Sequence, residues 1–166
     1  MITQQRLKEL LSYDPETGLF INLTQRRPQA KIGSVAGCKN NNGYIRIMID
    51  GKSYLAHRLS WLYSYGDFPE KELDHINEIK DDNRINNLRL ATHKENGQNV
   101  SSPGINNNSG FRGVCWHKRD KKWRAQIKLN GKIKYLGSFN TSEEAYECYL
   151  KAKREMHTFW VEDKIA

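Results

Sequence analysis

Leu73-Asp74-His75-Ile76, Asn87-Leu88-Arg89-Leu90 and Glu95-Asn96-Gly97-Gln98-Asn99 are the three pieces of sequence on which the fold turns. The apolar runs at 73–76 and 88–91 predict two short strands. Between them, residues 78–87 are polar and rich in Asn and Asp, the composition of a loop. Thr92 followed by Glu95 is a capping box, which predicts a helix starting at His93. The order is strand, loop, strand, helix. Asp74 and His75 are neighbours on the first strand, so the pleat sends their side chains to opposite faces. Local twist or a strand end is needed to bring both to one site.

These residue types suit phosphodiester hydrolysis. That reaction needs a water activated near neutral pH, and histidine has the unperturbed pKa for the task. It also needs charge stabilisation on the phosphate and the leaving oxygen, which a divalent cation on oxygen ligands supplies. The Asp74 carboxylate and the amide oxygen of Asn96, in the first helical turn, are candidate ligands for one such ion.

From His57-Arg58-Leu59-Ser60-Trp61 to Asn99 the chain resembles the HNH nuclease family in its ββα-metal form, above all phage and intron-encoded members with Asp-His first and Asn last. The resemblance implies that His75 is the general base and that Asp74 and Asn96 bind the metal. It implies that Asn87 pins the inter-strand loop through backbone hydrogen bonds and helps orient the His75 ring. The commoner family pattern ends in His where this chain has Asn96. An amide oxygen is a hard ligand, so one Mg²⁺ or Mn²⁺ per active site is expected, and not zinc. Asn83, Asn86 and Asn99 read as solvated or capping, His93 as exposed or phosphate-facing, and His57 as a core residue ranked above His117 and His157 for function.

Residues 1–66 form a β-rich part that precedes this motif. Leu7, Leu10 and Leu11 mark a short amphipathic helix, and Asp14-Pro15-Glu16-Thr17-Gly18 a turn. Strands are predicted at 18–23, 44–49 and 52–56, with Asp50-Gly51 as the hairpin turn between the last two. Leu59, Leu62 and Tyr63 have helical spacing, with Gly66 as the terminating residue.

Residues 101–109, SSPGINNNS, read as a linker. Beyond it, three strands are predicted at 113–116, 123–129 and 132–137, the last two joined at Asn130-Gly131. Thr141 with Glu144 opens a helix whose inner face is Ala145, Tyr149, Ala152 and Met156. Trp123, Ala125, Ile127 and Leu129 alternate with Arg124, Gln126 and Lys128, so the middle strand has one apolar and one basic-polar face. Trp123 then falls on the core side and Trp116 is the more exposed ring.

Phe111-Arg112-Gly113-Val114, Lys122 to Ile127, Tyr135 to Phe139 and Glu143 to Tyr146 resemble the APETALA/ethylene-response-factor DNA-binding domain. The resemblance implies a three-stranded sheet laid in the major groove, which admits such an element. Arg112, Trp123 and Arg124 match contacting positions best, with Lys128 and Lys134 behind them. Two departures, Cys115 where the plant pattern has Arg and one extra residue before Trp123, argue against carrying over the plant target sequence.

The fold class expected is α+β: a ββα-metal nuclease core with a β-rich N-terminal part (1–100), a linker (101–109), and a three-stranded antiparallel sheet packed on one helix (110–166). Bulk properties agree with a polyanionic partner. The formal net charge is +8 over 166 residues, and residues 109–138 hold nine basic residues against one acid, Asp120. Three cysteines without a CxxC pair argue against a disulfide framework or a structural zinc site. No apolar run reaches membrane-spanning length and the N-terminus lacks a signal-peptide core, which predicts a cytoplasmic protein in the host of a phage or mobile element. Double-stranded DNA is the expected partner, with no membrane and no obligate protein partner. The function expected is a homing or free-standing HNH endonuclease. A non-cleaving DNA-binding regulator and an RNA-directed nuclease are the alternatives.

Overall fold

A computed structural model of the chain describes residues 1–157 and Phe159. It divides into two compact units, Met1–His93 and Lys94–Ala166. Thr158 and residues 160–166, the end of the span 110–166, lie outside the described residues.

The first unit begins with α1 (Gln4–Leu10), whose N-cap Thr3 accepts a hydrogen bond from the Arg6 amide at 3.2 Å. β1 (Leu11–Tyr13) and β2 (Phe20–Asn22) then form an antiparallel pair. Leu11, grouped above with the helix stripe, is a strand residue, with φ −138° and ψ 140°. It remains fully buried, because its new direction still faces the same core. The turn between β1 and β2 is tied by Asp14, which accepts from the Glu16 amide at 2.9 Å and the Thr17 hydroxyl at 2.8 Å. β3 (Cys38–Lys39), β4 (Ile45–Ile49) and β5 (Lys52–Leu55) make a three-stranded antiparallel sheet in that order. Asp50 and Gly51 both have positive φ (47° and 74°), as a two-residue hairpin turn requires.

α2 (Ala56–Tyr65) packs on this sheet and ends at Gly66, whose φ of 93° lets its amide bond to the Leu62 carbonyl at 3.0 Å. Leu7, Leu11, Phe20, Ile47, Ile49, Leu59 and Leu62 fill one core among α1, the strands and α2. β6 (Glu72–His75) pairs antiparallel with β7 (Leu88–Ala91), and a short 3₁₀ turn (Ile85–Asn87) closes the polar loop between them. α3 (His93–Asn99) starts where the capping box places it and straddles the division between the units.

The second unit carries the sheet β10–β9–β8, with β8 Val114–His117, β9 Lys122–Leu129 and β10 Lys132–Phe139. A register shift between Tyr135 and Gly137 marks a bulge in β10. α4 (Ser142–Met156) covers one face, opened by a complete Thr141/Glu144 capping box. Val114, Ala125 and Ala145 form one cluster beneath it, and Ile127, Tyr149 and Ala152 another. The mixed class and the helix-covered antiparallel sheet are those the periodicities imply. The segment 101–109 is less loose at its end than its composition suggests. Asn107 donates to the carbonyls of Phe111 (2.9 Å) and Val114 (3.1 Å) and accepts from the Ser109 amide (2.8 Å). The Asn and Ser that read as linker composition serve here as side-chain caps on the entry to β8. No helix among the described residues is long and apolar enough to cross a membrane.

Gly113 has φ +77°, and a Cβ there would lie 2.2 Å from the Tyr149 ring. Gly113→Ala therefore adds backbone strain to overpacking and should cost the second unit about 3 kcal/mol. Hydrogen exchange of the β9 amides should rise by roughly two orders of magnitude, with the first-unit amides unchanged. Unaltered β9 protection would contradict this packing.

Candidate active site and nucleic-acid interface

The loop after His75 is laced to β7 by one side chain. Asn87 accepts from the Asn77 amide through Oδ1 at 3.0 Å and donates through Nδ2 to the Asp82 carbonyl at 2.9 Å. Its own carbonyl accepts from the Ile76 amide at 2.9 Å. Asp82 adds a second layer, receiving the Asn77 side-chain amide at 2.6 Å and Arg84 at 2.6 Å. The Arg84 pair holds the Asp82 carboxyl at a pKa of about 2. Gly18 touches this loop from the β1–β2 turn. A Cβ there would fall 2.5 Å from the Arg84 nitrogen, so only glycine allows the approach.

Asp74 and His75 divide as the pleat demands. Asp74 sits opposite Arg89 in the β6–β7 register, and its Oδ2 accepts from Arg89 Nε at 2.9 Å and Nη2 at 2.8 Å. The pair is substantially shielded from water, with Asp74 8% exposed. His75 turns the other way into a cluster of three rings. Its centroid is 5.0 Å from His57 in an edge-to-face contact and 5.8 Å from Tyr44, and Tyr44 and His57 are themselves 5.3 Å apart. Burial pushes the pKa of His75 down; the Asn83 side chain and then the carboxylates of Asp74, Asp82 and Asp81 oppose it. The net direction favours the neutral ring, the form that accepts a proton.

His57 is held neutral more firmly. Burial, and next the neighbouring His75 and Arg58, lower its pKa to about 3. Its Nδ1 is buried with no hydrogen-bond partner. Asn83 is a correction to the sequence reading: it is 3% exposed and not solvated. Its Nδ2 donates to the Asp81 carbonyl at 3.0 Å and its carbonyl accepts from Tyr13 Oη at 2.8 Å. Asn99 is likewise buried, whereas Asn86 is exposed. His93 is open to solvent, with Nδ1 3.4 Å from Glu72 Oε1. Asn96 is half-buried on α3, on the second-unit side of the division. Arg89, Asn83 and Tyr44 are the neighbours of Asp74 and His75 that sequence reasoning missed. Arg89 could have been found by assuming an antiparallel register; Asn83 and Tyr44 carry no local signal.

Among the described residues no group of three or more His, Cys, Asp and Glu is poised to hold a metal ion. Of the two metal ligands expected from the sequence, Asp74 lies in the first unit with one oxygen committed to Arg89, and Asn96 lies in the second.

In the second unit, cross-strand partners share a face. Arg124 lies opposite Cys115 and Ser138, so Arg124, Gln126, Lys128 and Tyr135 are on the face away from α4. Val114 opposite Ala125 and Trp116 opposite Trp123 are on the α4 side, the two Trp rings 5.1 Å apart, with Trp116 the more open at 44%. Lys134 lies opposite Ile127, hence on the α4 side as well, although its side chain is exposed. Arg112 donates to the carbonyls of Ser102 (3.3 Å) and Gly97 (3.1 Å). The six candidate contacts therefore do not form one surface: Arg124 and Lys128 share the outer face, and Arg112, Trp116, Trp123 and Lys134 lie off it. The two-residue turn at Asn130-Gly131 carried the missing signal. It puts Leu129 against Lys132, and counting two residues along each strand puts Ile127 against Lys134.

The His57 shift has a direct consequence for stability. Its folded pKa is below the ordinary value of 6.5, so the unfolded chain binds the extra proton between pH 6.5 and about 3. The stabilisation from a neutral His57 is complete above pH 6.5 and is lost as pH falls, at about 1.4 kcal/mol per pH unit. Urea midpoints of the full chain at pH 7 and pH 5 should show this loss, and His57→Gln should reduce the pH dependence. An identical slope in the variant would remove the buried-neutral assignment.

Residues 54–98 match the family model described as HNH endonuclease, and residues 109–158 match the AP2 domain model. Protein 3.8 of Escherichia phage T7 is 32% identical over 102 residues, covering 61% of this chain and 83% of that protein. A solved structure titled "DNA binding and cleavage by the HNH homing endonuclease I-HmuI" is 25% identical, with a TM-score of 0.41 over 54% of this chain. The chain spans half the length of that protein. The match to the HNH segment, the strand–loop–strand–helix built on it and the phage relative together place the chain in the HNH endonuclease family.

Proposed function

We propose that this protein is a metal-dependent DNA endonuclease, of the homing or free-standing type, that hydrolyses one phosphodiester per active site. The observation that carries the proposal is the buried His75 ring, biased towards its neutral form, on the strand residue next to Asp74 and before a loop that Asn87 fastens. We take His75 as the general base, drawing a proton from the attacking water. Its contacts with His57 and Tyr44 restrict the ring, so little orientational freedom is lost when the proton moves. Asn87 acts by fixing the loop and with it the backbone on which His75 sits. Asp74 and Asn96 are the proposed ligands of one Mg²⁺ or Mn²⁺, which when bound would stabilise negative charge on the phosphate and the departing 3′ oxygen. Arg89 would hold the Asp74 carboxylate oriented for that role.

Residues 110–166 are assigned to duplex DNA binding, with residues 1–100 as the nuclease part and 101–109 as the connection. Arg124 and Lys128 are assigned to the groove-facing sheet surface. Trp116 and Trp123 support that sheet from the α4 side, and Arg112 and Lys134 are assigned phosphate contacts at its borders. A cytoplasmic site of action in the host of a phage or mobile element accompanies this reading. One active site acting once leaves a nick.

Supercoiled plasmid with Mg²⁺ should be nicked by the wild-type chain, and His75→Ala should slow nicking about a thousandfold. Because the lowered His75 pKa keeps the base available at lower pH, the acid limb of the wild-type rate should lie below the ordinary histidine range. Equal rates in the two proteins would sink the catalytic assignment. Duplex binding without cleavage in the wild type would favour the regulator.

Binding by the full His75→Ala chain should weaken steeply with salt, by a slope of about 0.9 in log K per log salt for each phosphate contacted. Salt-independent binding would remove the electrostatic tether.

A further inference from the structure

The β8–β9 turn holds the one acid among nine basic residues of 109–138, and that acid gathers two arginines and a histidine. Asp120 Oδ2 lies 2.6 Å from Arg124 Nη2 and 3.0 Å from His117 Nδ1, and its Oδ1 lies 3.4 Å from Arg119 Nε. Arg124 is held from a second side. Its guanidinium carbon is 5.8 Å from the centre of the Tyr135 ring, and the Tyr135 hydroxyl is itself anchored to Ser138 Oγ at 2.8 Å. The Arg124 Nε is turned inward, buried and without a hydrogen-bond partner. Arg124 itself stands on the outer face of the sheet, opposite Cys115 and Ser138. A free arginine loses about 2 kcal/mol of side-chain freedom when it is fixed on a ligand. Here much of that ordering is present before any ligand arrives.

We propose that Asp120 is a specificity-determining positioning residue: it orients Arg124 to read the O6/N7 edge of a guanine and offsets attraction to phosphate that carries no sequence information. The proposal rests on the DNA-binding reading of the second unit. The end-on fork of an arginine matches the two acceptors of guanine in the major groove. A phosphate would be drawn to the same guanidinium from many directions, and a carboxylate 2.6 Å from it repels a charged phosphate far more than a neutral base edge. Asp120 thus acts in opposite directions on the two kinds of contact. A carboxylate that merely stiffened the turn would change both the same way.

The test uses the full chain carrying His75→Ala in EDTA, so that binding is read without cleavage. A random duplex library is selected for binding, and affinity for unselected duplex is measured across salt concentrations. The parent should enrich guanine at one position. Asp120→Asn and Arg124→Lys should each lower that enrichment about tenfold, since lysine has the charge but not the fork. Asp120→Asn should also bind unselected duplex more tightly, with a salt slope steeper by about one. Arg119→Gln, whose side chain is 88% exposed, should lose affinity and keep the preference. Retention of the guanine preference in Asp120→Asn overturns the inference, as does weaker binding of that variant to unselected duplex or a parent that binds without any preference. Failure of the parent to bind duplex at all is a different result, because it removes the DNA-binding reading beneath.

Discussion

The two hydrogen bonds of the Asn87 side chain carry more of this protein than any other contact. They join residues 77 and 82 of one loop to the start of β7. A polar loop of about ten residues has no apolar content to hold it, and it would otherwise exchange many conformations. With the loop fastened, β6 and β7 meet in a single register. That register puts Asp74 across from Arg89 and leaves His75 against His57 and Tyr44. A slip of one residue would exchange the two faces and put the histidine where the carboxylate now sits. The chemistry proposed for the site therefore rests on an amide side chain that need not touch substrate.

Electrostatics are organised differently in the two units. In the first, three acids are individually paired: Asp74 with Arg89, Asp82 with Arg84, and Asp81 with Lys39. These pairs offset negative charge around Asp74 and His75, while burial keeps His57 and His75 towards the neutral form. In the second unit cations are in excess and one acid, Asp120, is spent on arranging them. Excess positive charge draws DNA in from a distance, but it discriminates among sequences only when some of it is fixed in direction.

The elements themselves were legible from residue patterns. Alternation in 123–129, the Asn130-Gly131 turn and the Thr141/Glu144 box are local signals, and each produced the structure it implies. So were the two short strands around the loop. Leu11 left its helix because a buried position can be served by helix or strand alike, and apolar spacing over three leucines does not separate them. The Asn residues were harder. Asn83, Asn86 and Asn87 stand in one five-residue stretch with the same chemistry, yet two are buried and one is exposed. What separates them is the Tyr13 hydroxyl on the Asn83 carbonyl, seventy residues away, and the backbone groups of Asn77 and Asp82 on Asn87.

By itself the sequence determined the elements, their caps and turns, the excess of positive charge, and the identity of the Asp-His…Asn…Asn set that resembles the HNH family. These follow from periodicity and from side-chain chemistry acting within a few residues. Tertiary structure decided which of those side chains meet. Arg89 on Asp74 and the ring contact of His57 with His75 depend on strand register and on packing between distant segments. Burial and register are properties of the assembled chain. A titratable group such as His57 acquires its behaviour only when neighbours far away in sequence remove its water.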